Sequence, residues 1–147
     1  MLAARFFESV TAGFGLSYPQ TAVLAVLERH GRPLPLSHIA RLLTQEAQST
    51  TELADRLERR GFVRRIRDTR DRRLVLLELT AEGRDAIAGV LPALHDASEL
   101  LFGALPASQR EQLAGILQTL RDRAARQLGL DPSRLDSPPN QGRPTGA

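Results

Sequence analysis

Residues 44–80, TQEAQSTTELADRLERRGFVRRIRDTRDRRLVLLELT, decide the fold of this chain. Residues 46–60 have a helical period, because apolar and small side chains recur three and four positions apart. They form a stripe that consists of Thr50, Leu53, Ala54 and Leu57. The opposite side is polar and carries Gln48, Thr51, Glu52, Asp55 and Arg59. Gly61 follows where a helix end favours a left-handed residue, so the sequence predicts an amphipathic helix that stops there.

The pattern after Gly61 changes from that of a helix to that of two short strands. Residues 62–67 and 74–79 are rich in branched side chains, and residues 68–73 between them form a polar, charge-dense turn. A helix that leads into a hairpin with an arginine-rich tip is the arrangement of a winged helix. The sequence therefore predicts that the hairpin is the wing.

Nine arginines crowd into residues 56–73, which contain only three acidic residues. These arginines are Arg56, Arg59, Arg60, Arg64, Arg65, Arg67, Arg70, Arg72 and Arg73. Such a concentration of positive charge predicts a polyanionic partner, and its place on a helix and a hairpin favours DNA. A solvated hairpin whose charges pair with one another is the alternative interpretation.

The segment LPLSHIARLLTQEAQSTTELADRLERRGFVRRIRDTRDRRLVLLELTAEG, residues 34–83, resembles the winged helix-turn-helix core of MarR-type transcriptional regulators. The closest matches are DRLERRGFV at residues 55–63, DRR at residues 71–73, and Leu79-Thr80 followed by Gly83. A weaker resemblance extends from about Phe6 to Leu128. The resemblance implies a mainly α fold with a small β-hairpin (α+β). In this fold a winged helix-turn-helix DNA-binding domain is flanked by N- and C-terminal dimerisation helices.

Composition limits the other classes of protein. A chain of 147 residues that is 41% hydrophobic suits one domain with an oligomerisation element, and the net charge of +3 makes the basic stretch a local feature. Without cysteine there is no thiol chemistry within this chain. No apolar run has the length of a membrane helix, and the start lacks a secretion signal, so we expect a cytoplasmic protein with no membrane partner.

The helices before the wing complete a helix-turn-helix. Residues 2–14 place Phe6, Phe7, Val10 and Phe14 at helical spacing. Core packing and a subunit interface both remain open for this helix, and the resemblance implies an interface that includes Phe7 and Val10.

A helix with Pro19 in its first turn is predicted for residues 19–30, and another for residues 34–43, with Ser37 as a candidate cap or phosphate contact.

Two long helices are predicted after the wing. The first is capped by Thr80, kinks at Pro92 and ends at Gly103, and the second covers residues 107–128. A helical subdomain folded on itself would explain their apolar stripes, but we favour dimerisation through Leu113, Leu117 and Leu120. Residues 131–147 are predicted to be a disordered tail. The domain boundaries are therefore 1–18 for the N-terminal helix, 19–80 for the winged helix-turn-helix, and 81–130 for the C-terminal helices.

The sequence predicts how such a protein would read double-stranded DNA. Candidate readers of base edges in the major groove are Gln45, Gln48, Ser49, Thr51 and Glu52. Candidate contacts of the wing are Arg70, Arg72 and Arg73, although a salt bridge within the hairpin is an equal alternative for Arg73. Asp55 is expected to tether an arginine such as Arg59, and Asp71 to position a wing arginine.

The functional prediction is a sequence-specific transcriptional regulator, in the role of a repressor, that acts as a homodimer. A protein-interaction module on a winged-helix scaffold is the alternative. Motifs of enzymes, metal sites and nucleotide cofactors are missing from the sequence, so we expect no enzyme, cofactor or metal. The resemblance also implies a small aromatic ligand, for which Phe6, Phe14, Tyr18 and His30 are candidates and core packing is the alternative.

Overall fold

The computed structural model describes residues 2–43, 47–69, 71, 73–129 and 131–134. The chain forms two compact units, residues 1–99 and residues 100–147. The elements in chain order are α1 (Leu2–Ala12), α2 (Tyr18–His30), β1 (Leu34–Pro35), α3 (Leu36–Leu42), α4 (Ala47–Arg59), β2 (Val63–Arg67), β3 (Val75–Leu79), α5 (Ala81–Phe102), α6 (Ala107–Gln127) and a 3-10 turn (Pro132–Arg134). The predicted fold class, mainly helical with a small antiparallel sheet, is confirmed.

The sheet has three strands in the order β1-β3-β2, so the predicted hairpin has an additional partner. In the hairpin Val63 lies opposite Leu79, and Leu34 of β1 lies opposite Leu77 on the other side of β3. The prediction of a helix from Leu34 onward was wrong for its first two residues. A residue that precedes proline is driven towards an extended backbone, and Pro35 tolerates an edge strand.

The core of the first unit contains the inner face of every element from α2 to α5. Its fully buried apolar side chains are Val23, Leu24, Leu27, Leu34, Ile39, Ala54, Leu57, Val63, Leu77, Ile87 and Val90. On α4 the predicted stripe points inward, because Thr50, Ala54 and Leu57 are buried and Leu53 is half-buried. The polar face of α4 is left exposed by this packing.

The corner between α1 and α2 is closed by its own hydrogen bonds. Helix α1 ends at Ala12, two residues before the predicted end, and Gly15 has a left-handed backbone with φ of 70°. Helix α2 begins at Tyr18, one residue before the predicted start, because Ser17 caps it. The Ser17 side chain accepts from the backbone of Gln20, whose side chain accepts from the Ser17 backbone in return.

The end of α4, the start of β2 and the start of α5 meet around Phe62. Gly61 ends the turn after α4 with φ of 76°, as predicted. Thr80 then makes two bonds to this junction, since its N–H donates to the Phe62 carbonyl at 3.1 Å and its hydroxyl to the Gly61 carbonyl at 2.6 Å. The same hydroxyl accepts from Gly83 N at 3.0 Å, which confirms Thr80 as the cap of α5.

The second unit presents an apolar surface on α6. Leu117 is 55% exposed and Leu120 is 58% exposed, whereas Leu113 is half-buried. Residues 132–134, at the start of the predicted tail, form a 3-10 turn, and residues 135–147 lie outside the described part. Helix α5 continues through Pro92. In the part of the chain that the structure describes, no helix is both long enough and apolar enough to cross a membrane.

Candidate nucleic-acid interface

The exposed face of α4 brings together four of the five predicted base readers. Gln48, Ser49, Thr51 and Glu52 lie within its first two turns, and all four are exposed. The hydroxyl of Thr51 donates to the Ala47 carbonyl at 2.9 Å, so its remaining capacity is that of an acceptor. Gln45 lies outside the described residues.

Ser37 lies in the first turn of α3, where it is exposed. The residue at the N-cap position is Pro35, and no side chain of the described residues caps this helix. The suggestion that Ser37 caps α3 was therefore wrong, because the helix begins one residue before it. Its role as a phosphate contact stays a prediction.

Arg65 of β2 binds two carboxylates of α4. Its Nη2 lies 2.6 Å from Asp55 Oδ1, and its Nη1 forms an ion pair with Glu58 Oε2. The other oxygen of Glu58 accepts from the Arg65 backbone N–H at 2.9 Å. Partial burial would lower the pKa of Arg65, but hydrogen bonds and attraction from Asp55 and Glu58 outweigh it and raise that pKa. This cluster, which we call the Arg65 clamp, joins the wing to α4.

The clamp changes the interpretation of the acidic residues on α4. The prediction that Asp55 tethers an arginine is confirmed, but the partner is Arg65 of the wing strand and not Arg59, the example suggested from the sequence. The sequence gives no local sign of that pairing, since the hairpin turns Arg65 back towards α4 only in the folded chain. Asp55 and Glu58 thereby share one cationic partner, which offsets one of their two negative charges.

The turn of the wing is shaped by two aspartates. Asp68 Oδ1 accepts from the Asp71 backbone at 3.2 Å, and Asp71 Oδ1 accepts from the Arg73 backbone at 3.0 Å. Asp71 thus positions the backbone of Arg73. The Arg73 side chain is exposed and makes no ion pair with any described residue. Arg70 and Arg72 lie outside the described residues.

The structure divides the arginine run into engaged and exposed members. Arg64 pairs with Glu78 across the hairpin, and Arg60 donates to the Gly15 carbonyl. Exposed arginines on α4 and β2 that make no ion pair within the described ranges are Arg56, Arg59 and Arg67. Sequence reasoning left these three out of the candidate site, because counting charges cannot separate paired arginines from unpaired ones.

The four residues proposed for a ligand do not all join one cluster of rings. Phe7 links Phe6 and Tyr18, with ring centres 5.8 and 6.0 Å apart. Phe14 and Tyr18 are exposed, and Phe6 is half-buried. His30 packs instead edge-on against His38, with ring centres 6.1 Å apart. Among the described residues, no group of three or more metal-binding side chains occurs.

His38 of α3 is a buried histidine that the sequence did not single out. Arg41 Nη2 donates to His38 Nδ1 at 2.6 Å, so the proton of the neutral ring lies on Nε2, which has no partner among the described residues. Burial lowers the pKa of His38, and electrostatic repulsion from Arg41, His30 and Arg32 lowers it further. The neutral ring is thus the form that the fold accepts.

We expect the free energy of unfolding to fall as the pH drops below 6.5, the ordinary pKa of histidine. In this range the unfolded chain binds a proton at His38, whereas the folded chain, with its lowered pKa, does not. The free energy of unfolding should continue to fall until the pH reaches the pKa of His38 in the folded chain. Above pH 6.5 the contribution of His38 to stability is fully present. Urea titrations of the wild type and of His38→Gln would measure it. His95→Gln, at an exposed position, is the control and should show the same fall in the free energy of unfolding with pH as the wild type. If His38→Gln shows that fall as well, His38 is not its cause.

Comparison with known proteins shows which proteins this chain is similar to. Residues 16–75 match the MarR family model. The chain is 39% identical over 80 residues to the uncharacterized HTH-type transcriptional regulator YfiV of Bacillus subtilis, covering 54% of this chain and 49% of YfiV. It is 41% identical over 69 residues to the HTH-type transcriptional repressor MdtR of the same organism, covering 47% of this chain and 44% of MdtR. The chain thus spans about half the length of these relatives.

Solved structures share the fold. A probable transcriptional regulator from Pseudomonas aeruginosa is 27% identical with a TM-score of 0.72, over 81% of this chain and 91% of that one. A mutant MarR from E. coli complexed with operator DNA is 22% identical (TM-score 0.74, coverage 80% and 84%). BpsR of Bordetella bronchiseptica, regulated by 6-hydroxynicotinic acid, is 23% identical (TM-score 0.76, coverage 82% and 85%).

The fold and the exposed face of α4 define a winged helix-turn-helix protein. Most of this winged helix lies within residues 16–75, the part of the chain that matches the MarR family model. The curated relatives described above are named as regulators of transcription.

Proposed function

We propose that this chain is a sequence-specific regulator of transcription that binds double-stranded DNA as a homodimer. The observation that carries the proposal is the exposed polar face of α4, next to a wing whose Arg65 pairs with two carboxylates of that helix. The regulators named among its relatives support this function over an enzymatic one. Repression is the proposed mode because MdtR is named a repressor.

In the proposed complex, α4 lies in the major groove and the wing lies along the neighbouring backbone or minor groove. Gln48 is suited to pair with both N6 and N7 of an adenine, and Glu52 to accept from a cytosine amine. Arg73, with Arg70 and Arg72, would contact phosphates or the minor groove. Arg56, Arg59 and Arg67 add exposed positive charge on the same two elements, and Ser37 adds a hydroxyl at the start of α3.

The proposed dimer involves both ends of the chain. Leu117 and Leu120 expose more than half of their surface on α6, and apolar side chains of this size gain free energy when a second copy covers them. Leu113 on α6 and the half-buried Phe7 and Val10 on α1 are the other proposed contacts. The division into an N-terminal helix, a winged helix and C-terminal helices remains part of this proposal.

A small aromatic ligand is the proposed effector. BpsR responds to 6-hydroxynicotinic acid, which supports a ligand of this class for a protein of the same fold. The aromatic group around Phe7, with the exposed Tyr18 and Phe14, is where such a ring would find partners. A ligand would release DNA only if it bound more tightly to a dimer whose α4 helices no longer match the groove spacing.

The alternative function is a protein-interaction module without specific DNA binding. It would require no sequence preference and no role for the polar face of α4. Substitution of a proposed base-reading residue on that face therefore distinguishes the two functions.

Gln48→Ala is expected to weaken binding to a selected operator by about 1–3 kcal/mol while binding to random DNA stays nearly unchanged. The reason is that a base contact is lost while the phosphate contacts remain. Fluorescence anisotropy with both DNAs would measure the two affinities. Gln127→Ala, which changes an exposed glutamine at the end of α6, is the matched control and should alter neither affinity. Equal losses of Gln48→Ala on both DNAs would remove Gln48 from base reading.

A further inference from the structure

Arg60, the residue that follows α4, connects two distant parts of the first unit. Its Nη1 donates to the Gly15 carbonyl at 2.7 Å, across 45 residues of sequence. Its guanidinium carbon also lies 4.6 Å from the centre of the Phe62 ring. At this distance the cation is attracted to the face of the ring. One exposed side chain thus spans the corner between α1 and α2 and the beginning of the wing.

Both ends of this connection are fixed points. At the corner, Gly15 N donates to the Ala12 carbonyl at 2.9 Å and Leu16 N to the Thr11 carbonyl at 3.2 Å, while Leu16 is buried in the core. The left-handed backbone of Gly15, with φ of 70°, belongs to this closed corner. The carbonyl that Arg60 binds is therefore held in place by the core.

The other end is held equally well. Phe62 N donates to the Leu57 carbonyl of α4 at 3.0 Å, and the Phe62 carbonyl accepts from Thr80 N at 3.1 Å. The ring itself is half-buried against the core. Arg60 is therefore anchored between two parts of the backbone that are each fixed by other bonds.

We propose that Arg60 is a positioning residue for DNA recognition, which holds the C-terminal end of α4 against the corner between α1 and α2. The inference rests on the proposed function. The guanidinium contacts the Gly15 carbonyl and the Phe62 ring, which are both parts of the protein. Arg60 therefore affects DNA binding through the position of α4, which ends one residue before it. Bidentate contacts to base edges tolerate less displacement than phosphate contacts, so a loosened α4 loses specific binding before non-specific binding.

Arg60→Gln should weaken binding to the selected operator by about tenfold, which corresponds to one charge-assisted hydrogen bond. Binding to random DNA should change by less than about twofold, and the salt dependence should stay that of the wild type, since no phosphate contact is lost. Arg59→Gln is the matched control, with the same change of charge at the neighbouring exposed position. It should leave the ratio of operator to random affinity unchanged.

A second arm of the experiment needs no DNA. Hydrogen exchange of the Gly15 and Leu16 amides should be faster in Arg60→Gln than in the wild type, and unchanged in Arg59→Gln. If Arg60→Gln does not fold, as judged by circular dichroism, the ratio of operator affinity to random-DNA affinity is measured for Arg60→Lys instead. Lysine keeps the charge without the planar group, so we expect a loss of about threefold in that ratio.

Two results would overturn the proposal. Equal losses on both DNAs, with a salt slope reduced by about 0.9 per subunit, would make Arg60 a phosphate contact. An unchanged ratio in a folded variant, with unchanged exchange at the corner, would remove any positioning role. A wild type with no preference for operator over random DNA would instead refute the proposed function, and the exchange arm would then still test the contact between Arg60 and Gly15.

Discussion

Gly83→Ala is expected to lower the free energy of unfolding by about 3 kcal/mol or more, at the upper end of what overpacking costs. A β-carbon on Gly83 would overlap the carbonyl oxygen of Phe62 and come within 2.9 Å of its carbonyl carbon. It would also lie 2.8 Å from Leu79 Cδ1. The obstacle is mainly backbone, which Thr80 holds by its hydrogen bond to the same carbonyl. Urea unfolding followed by circular dichroism would measure the loss.

Gly89→Ala, on the same helix, is the matched control. Apart from the adjoining backbone of α5 itself, no atom of the described residues lies within 4 Å of the β-carbon that this substitution would add, and Gly89 is exposed. Because alanine favours a helix over glycine, this variant should gain about 0.5–1 kcal/mol. A Gly83→Ala variant as stable as the wild type would contradict the close approach of α5 to Phe62.

Arg65→Gln is expected to weaken operator binding by more than tenfold, or about 1.5–3 kcal/mol for a lost charged hydrogen-bonding partner. The variant would leave Asp55 and Glu58 without a cationic partner next to the proposed DNA, and it would remove the ion pairs that join the wing to α4. The cost in stability should be smaller, about 1 kcal/mol, because both carboxylates are partly exposed and solvent screens the ion pairs. Binding titrations at several salt concentrations, together with urea unfolding, would separate the two effects.

Arg64→Gln is the control for this variant, because it removes the same charge from the adjacent residue of β2. Arg64 pairs with Glu78 of the neighbouring strand and has no bond to α4. We expect it to weaken DNA binding by less than about threefold, as a surface ion pair should. Equal losses in the two variants would mean that lost charge, and not the link to α4, explains the effect.

Local patterns in the sequence predicted much of the fold. The stripe on α4, Gly61 and Thr80 are features of neighbouring residues, and each has the predicted role in the structure. Strand β1 was missed because a strand of two residues has no period to detect. The extended backbone before Pro35 was its one local sign.

The candidate site was harder to predict, because its charges are arranged by contacts between distant residues. The sequence predicted that Asp55 tethers an arginine and offered Arg59 as an example, but the fold brings Arg65 to it. The contact between Arg60 and Gly15 joins residues that no periodicity relates. The polar face of α4 could be predicted from the helix alone, whereas the arginines that make no ion pair could be identified only after the partners of the others were known.

Selection of bound DNA from a random pool tests the central claim most directly. The proposed homodimer predicts enrichment of one motif with two half-sites related by a two-fold axis, with centres about 34 Å apart, one turn of DNA. Each half-site should be read by the exposed face of α4, so selection with Gln48→Ala should relax one base position in each half. A pool that stays random through selection, with binding that depends on salt alone, would contradict sequence-specific recognition by this chain.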